Sequence, residues 1–158
     1  MHQEHQYRVS TTWNGNRGTG TNHAAAYDRS HTITNVGKPA LELTTDHHRF
    51  GDKSKLNPED LLVSAISSCH MLSYLYLCAV EGVVVIAYTD EATGVMIEWP
   101  EGGGQFQRVT LHPVVTVAEA GMVEQAIALH HKAHEICYIA NSVNFEVKNE
   151  PVCQVMKA

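Results

Sequence analysis

Two cysteines and their neighbours carry the chemistry this sequence could do. Cys69 stands in "AISSCHML" and Cys137 in "AHEICYIA", 68 positions apart. Cys78 and Cys153 complete a set of four that contains no CxxC pair. A thiol attacks as the thiolate, and an ordinary cysteine, with a pKa of about 8.5, is mostly protonated at neutral pH. Burial raises that pKa further, so a reactive buried cysteine needs a cation nearby. An arginine suits the task by type: it is always charged and donates through a planar fork. The bland reading of a cysteine on an apolar helix is a small hydrophobe without chemistry, and Cys78 and Cys153 are read so.

Eleven histidines invite a metal reading as well. In "HHKAHEIC", His130, His134 and Cys137 recur at helical spacings and could share one face. Structural zinc takes four protein ligands. The fourth would have to come from His70 or Cys69, so no metal is expected.

The elements that must hold these residues can be read from the chain. "YRVSTTW" alternates and precedes the turn-rich "NGNRGTG", which together suggest a hairpin; "SHTITNV" and "ALELTT" read as strands around the Gly37-Lys38-Pro39 turn. Asn57 can cap a helix that starts at Pro58 with Glu59 and Asp60 in its first turn and ends at Gly82. Strands follow on both sides of "PEGGGQF". A second helix is expected from about Glu119 to Tyr138, then a strand in "SVNFEVKN" and a short "VCQVM" tail. Strands, long helix, strands, helix, strand is the order of an α+β fold with antiparallel sheet and two principal helices.

The first helix runs from Leu61 to Val80 without a formal charge. Twenty such residues are long enough to span a bilayer. Ser64, Ser67, Ser68, His70 and Ser73 within the run, and flanks without a Lys/Arg girdle, favour a core helix instead. A helix apolar on nearly every side must be covered on nearly every side. One sheet and one other helix cannot do that, and a second copy of the chain is the natural supplement. Ala65, Ser68 and Ser73 leave room beside Cys69. Cysteines on two helices that can cross in a core, in a reducing compartment, suggest a redox pair more than a structural bridge.

The whole chain sets further bounds. Its 158 residues suggest a single domain over 1–158. The net charge is 11 − 17 = −6, without a Lys/Arg cluster, which argues against nucleic acid and anionic membrane as partners. "MHQEHQYRV" has no apolar h-region, so a cytoplasmic location is expected.

Three segments together resemble one family. "NPEDLLVSAISSC" is similar to the helix-start and cysteine motif of the organic hydroperoxide resistance and osmotically inducible protein C (Ohr/OsmC) family. "AHEICYIANSV" resembles its second-cysteine segment, and "HHRFG" the segment that bears an arginine twenty positions before the first cysteine. The likeness extends from about Tyr7 to the C-terminus. It implies an OsmC-like fold, with an antiparallel sheet and two long central helices in an intertwined homodimer. It also implies a thiol-dependent peroxidase with two sites at the dimer interface. Carried over to this chain, Cys69 is the peroxidatic and Cys137 the resolving cysteine, with Arg49 and Glu59 as the polar pair beside Cys69. The chain departs from the family pattern in Tyr138 after Cys137, where Pro is usual in the hydroperoxide-resistance branch, and in His70 after Cys69, where Phe is frequent. Arg17, in the N-terminal loop, stands near that branch's own catalytic arginine, so either Arg17 or Arg49 could supply the cation.

Ten residues of helix separate Glu59 from Cys69 by about 15 Å along the axis, so either a long arginine spans the gap or Glu59 and Arg49 reach the Cys69 of the other subunit, and the second is the arrangement expected. The expected cycle forms a Cys69 sulfenic acid and then a Cys69–Cys137 disulfide. A dithiol, of lipoyl type by the resemblance, reopens it by exchange, with no further cofactor. An apolar surround at Cys69 would favour organic hydroperoxides. The competing reading is a non-catalytic module that holds a small ligand or zinc in the inter-helix cavity.

Overall fold

The computed structural model describes residues 3–157 and has the expected α+β architecture. The chain divides into two compact units, Met1–Leu61 and Leu62–Ala158. In the first, β1 (Ser10–Trp13), β2 (His31–Thr34) and β3 (Leu41–Leu43) form an antiparallel sheet in the order β1-β2-β3. β1 and β2 pair in register, but the link between them is a long loop, residues 14–30, rather than a tight hairpin turn. Trp13 stabilises that loop: its indole N–H donates to the Asp28 carbonyl at 2.8 Å and its ring meets Tyr27 edge-on at 5.6 Å.

α1 spans Pro58–Val80. It starts where a reciprocal cap forms: the Asn57 side chain accepts from the Asp60 N–H at 2.8 Å, and Asp60 accepts from the Asn57 N–H at 3.1 Å. It ends at Gly82, whose φ of 76° suits glycine, with the Val83 N–H returning to the Cys78 carbonyl at 2.8 Å. The helix has two distinct faces. Ile66, His70, Tyr74 and Cys78, four apart, are buried. On the opposite face Leu72, Tyr76 and Val80 are 62–65% exposed.

The remaining strands of the second unit form two three-stranded sheets, β4-β7-β9 and β5-β6-β8. Here β4 is Val85–Asp90, β5 Thr93–Glu98, β6 Gly104–Leu111, β7 Pro113–Val117, β8 Glu146–Asn149 and β9 Val152–Val155. The sheets are two halves of three broken strands. β4 gives way to β5 at residues 91–92, β6 to β7 at His112, and β8 to β9 at residues 150–151. β8 and β9 pair in parallel with β6 and β7, so the sheets are antiparallel only in part, and the "VCQVM" tail is a strand. Asp90 closes the break: one carboxylate oxygen accepts from the His112 N–H at 2.7 Å and the other from the Ser67 hydroxyl at 2.5 Å.

The break also divides the core. Ile66 packs with Val109 and Leu111 on one side. Tyr74 and Cys78 pack with Val115, Val117, Ala126, Leu129 and Ala133 on the other. α2 covers the second cluster and is shorter than expected, Val123–Ile136, preceded by a 3-10 turn at Ala120–Met122. Its last turn stops because Cys137 adopts extended angles (φ −71°, ψ 109°), while the Asn141 amide donates to the exposed Glu135 carbonyl at 2.9 Å.

Polar side chains lie within this core. His70 and His130 are 1% and 2% exposed, and His70 Nε2 lies 3.0 Å from both His130 Nδ1 and Asn149 Nδ2. The His130 ring stacks on Tyr74 at 3.8 Å. Burial lowers the pKa of His70 to about 4, with His134 adding in the same direction and Asp90 opposing. Burial and then His70 lower that of His130 to about 3. Both values lie below the 6.5 of an unfolded histidine, so between them the unfolded chain binds more protons and stability rises with pH, levelling off above about 6.5. Lowering the pH from 7.5 to 5 should cost on the order of 2 kcal/mol per histidine. Urea midpoints at the two pH values should show this loss in the wild type and a smaller one in a His70→Gln/His130→Gln double variant.

Candidate active site

The structure brings Cys69 and Cys137 together. Cys69 sits on α1, half-buried, and Cys137 stands just past the end of α2, with no exposed surface. Neither is in a disulfide, and the two side chains lie close enough for Cys69 to act on the Cys137 thiol. Burial pushes the Cys137 thiol up to about 11, opposed by N–H groups of Ala140 and Ile139 aimed at its sulfur and reinforced by Cys69. Those donors come from a tight turn in which the Asn141 N–H bonds the Cys137 carbonyl at 3.0 Å and Ala140–Ser142 form a 3-10 helix. Because Cys137 lies outside the helix, its sulfur, rather than the face of α2, is presented to α1.

The arrangement has a built-in order. A small molecule can approach the half-buried Cys69, while Cys137 has no exposed surface of its own. A thiol held protonated by burial is a weak nucleophile, and of the two Cys69 is the more accessible to a small electrophile.

Cys78 is buried and Cys153 half-buried, and burial raises the pKa of both. They belong to the apolar cluster around Tyr74, as small hydrophobes would.

Arg49 and Glu59 lie in the first unit. Arg49 closes a 3-10 turn, His47–Arg49, capped by Asp46, whose carboxylate accepts from the His48 N–H at 2.8 Å. The chain reverses through Phe50 at φ 69°, a positive value outside glycine, and Gly51 follows. A Cβ at Gly51 would lie 1.8 Å from the Thr45 carbonyl oxygen. The "RFG" segment is thus a turn that only glycine can finish, and it fixes where Arg49 leaves the backbone. Glu59 is half-buried in the first turn of α1, and its Oε2 is buried without a hydrogen-bond partner. Arg17 is engaged within its own loop: its guanidinium donates to the Ala25 carbonyl and lies 3.8 Å from Asp28.

Sequence reasoning missed a third arginine. Arg29 donates to the Tyr27 and Ala24 carbonyls at 2.7 and 2.6 Å and lies over the rings of Tyr27 and Phe50 at 4.2 and 5.0 Å. It lines an open surface depression with Trp13, Tyr27 and His31. No spacing in the sequence marks it, because its partners are backbone carbonyls and a ring twenty-one residues away.

The weighed zinc set does not assemble. Among the described residues, the group whose ligand atoms gather within 4.8 Å of one another is Asp46, His47 and His48, on the exposed turn before Arg49. His130 is committed to His70, and Cys137 to Cys69.

A family model described as OsmC-like protein matches residues 51–151. No curated protein matches the chain. Among solved structures, an OsmC-like protein of unknown function from Vibrio cholerae is 30% identical, with a TM-score of 0.84 over 94% of this chain and 100% of that one. An organic hydroperoxide resistance protein OsmC from Legionella pneumophila shares the fold at 20% identity, with a TM-score of 0.68 over 96% of this chain and 99% of that one. The organic hydroperoxide resistance protein OhrB of Bacillus subtilis does so at 18%, with a TM-score of 0.60 over 92% and 98%. The family match over more than half of the sequence and the complete coverage of the Vibrio structure at 30% identity show the family: this chain belongs to the OsmC-like protein family.

Proposed function

We propose that this protein is a thiol-dependent peroxidase that reduces organic hydroperoxides, with Cys69 as the attacking and Cys137 as the resolving cysteine. The observation that carries the reading is the proximity of one half-buried and one fully buried cysteine on separate elements. The Cys69 thiolate attacks the outer peroxide oxygen, the O–O bond breaks, and an alcohol leaves with a proton. The Cys69 sulfenic acid then condenses with Cys137, releasing water and forming the disulfide. An external dithiol reduces that bond by exchange and leaves as a disulfide itself. Mass spectrometry after one equivalent of cumene hydroperoxide should find a Cys69–Cys137 bridge. Cys69→Ser should abolish peroxide consumption, and Cys137→Ser should hold Cys69 as a sulfenic acid after one equivalent and convert it to a sulfinic acid when peroxide is in excess. Two unmodified thiols in the wild type would sink the reading.

Arg49 and Glu59 are assigned to activation of Cys69. Arg49 would stabilise the thiolate and the developing negative charge on the leaving oxygen, with Glu59 orienting the guanidinium. The turn that fixes where Arg49 leaves the backbone, and the unpartnered buried oxygen of Glu59, support the assignment. Arg49→Ala should lower kcat/KM for cumene hydroperoxide about 10²–10³-fold, and Arg17→Ala by less than about threefold. The reverse order would move the role to Arg17.

The active unit is proposed to be a homodimer, with Glu59 and Arg49 serving the partner's cysteine. The apolar stripe Leu72, Tyr76 and Val80 supports this, because such a stripe on a long helix calls for a cover. Sedimentation equilibrium should give twice the 17.4 kDa of the chain. Tyr76→Glu should give monomers with depressed peroxidase activity; a monomeric, fully active wild type would refute the shared site.

A further inference from the structure

The residue after the reactive cysteine is an imidazole buried in an otherwise apolar stripe. Ile66, Tyr74 and Cys78 share that stripe with His70, and an apolar side chain there would bury equally well. Burying a polar ring is costly unless its nitrogens are satisfied. Here His70 Nε2 lies 3.0 Å from His130 Nδ1 on α2 and 3.0 Å from Asn149 Nδ2 at the end of β8. A lone pair on His70 Nε2 that receives both N–H groups satisfies the two contacts. That arrangement places the proton of each imidazole on Nδ1. The His130 ring is clamped in turn, stacked on Tyr74 at 3.8 Å and lying parallel to His70.

This network is directional where the surrounding core is not. Apolar contacts let a helix roll by small angles at little cost, whereas hydrogen bonds weaken steeply with misalignment. Successive side chains on a helix lie about 100° apart, so fixing the direction of His70 fixes that of Cys69. His130 lies on α2 seven residues before Cys137, which stands just past the end of that helix, so the network joins α1, which carries Cys69, to the helix that leads into Cys137. Disulfide geometry tolerates little: the two Cα atoms must come within about 4.4–6.8 Å with matched side-chain directions. The network also leaves His70 Nδ1 and Asn149 Oδ1 buried without partners, a cost that packing alone would not incur.

We propose that His70 is a positioning residue for the thiol pair. Through His130 and Asn149 it sets the roll of α1 so that the Cys69 sulfur faces Cys137. The inference builds on the reading of these cysteines as a redox pair, and it concerns how readily their bond forms.

The test equilibrates the full-length protein in buffers of reduced and oxidised dithiothreitol and reads the Cys69–Cys137 disulfide by intact mass after thiol quenching. In that exchange the protein S–S bond forms as the disulfide of oxidised dithiothreitol opens, and the two thiol protons end on the dithiol. His70→Leu, which fills the space but accepts no hydrogen bond, should shift the equilibrium against the protein disulfide by about tenfold, near 30 mV. His70→Gln, whose carboxamide oxygen can take the place of Nε2, should return it to within about threefold of the wild type. Asn149→Leu, which keeps the volume but can neither donate nor accept, should shift in the same direction as His70→Leu, and it carries the test should His70→Leu fail to fold. A purely packing role predicts the opposite ranking, with leucine better than glutamine. The proposal is overturned by a His70→Leu protein that equilibrates like the wild type. It is equally overturned by a His70→Gln protein that shifts as far as leucine, or by a silent Asn149→Leu. A wild type that forms the bridge in dithiothreitol but never with peroxide would instead remove the peroxidase reading and leave the positioning role standing.

Discussion

The carboxylate of Asp90 stands at the level where all three long strand runs of the second unit break. A strand that changes sheet leaves a backbone N–H without its ladder partner, and an unmet N–H in the interior is costly. Asp90 accepts that N–H from His112 with one oxygen and holds Ser67 with the other. The break is thereby tied to α1 two residues before Cys69. Without the break the sheet could not present two separate faces, with Ile66 on one cluster and Tyr74 and Cys78 on the other. The seat of α1, and with it the direction of Cys69, follows from that single acceptor and from the histidine network one residue beyond the thiol.

What could be read from the sequence was local. Asn57 and Asp60 lie three apart, and their reciprocal hydrogen bonds form as that spacing predicts. The uncharged run, the Gly82 stop and the two cysteine segments also describe themselves, because helix caps and periodicity act over a few residues. The Cys69–Cys137 contact was legible as two thiols on two elements that could cross. What stayed hidden depends on long loops closing. The parallel pairing of β8 with β6 and β9 with β7 joins strands far apart in sequence, and no alternation distinguishes parallel from antiparallel partners. His70 and His130 sit sixty positions apart among eleven histidines, and only the packed core shows that these two meet. The end of α2 was misplaced because neither glycine nor proline marks it. Backbone donors to the Cys137 sulfur and the Asn141 bond to Glu135 end it instead.

The two faces of α1 divide labour. The inner stripe holds the polar contacts that set direction, and the outer stripe of Leu72, Tyr76 and Val80 is the surface that a second copy would cover. A helix apolar all round is an unusual thing to keep in water. Its length and hydropathy would also suit a bilayer, yet its inner face carries an imidazole, a phenol and two hydrogen-bonded elements that a lipid could not replace.

Cys137 lies one residue outside α2, in a turn held by only a few backbone hydrogen bonds. In the proposed cycle its sulfur would move to bonding distance of Cys69, and the turn over residues 137–142 could bend while the α2 ladder stays intact. The same N–H groups that now face the sulfur would have to find new acceptors or water. Oxidation would therefore be recorded in the backbone of one short surface segment, and a reductant would meet a locally loosened chain end rather than the rigid side of a helix.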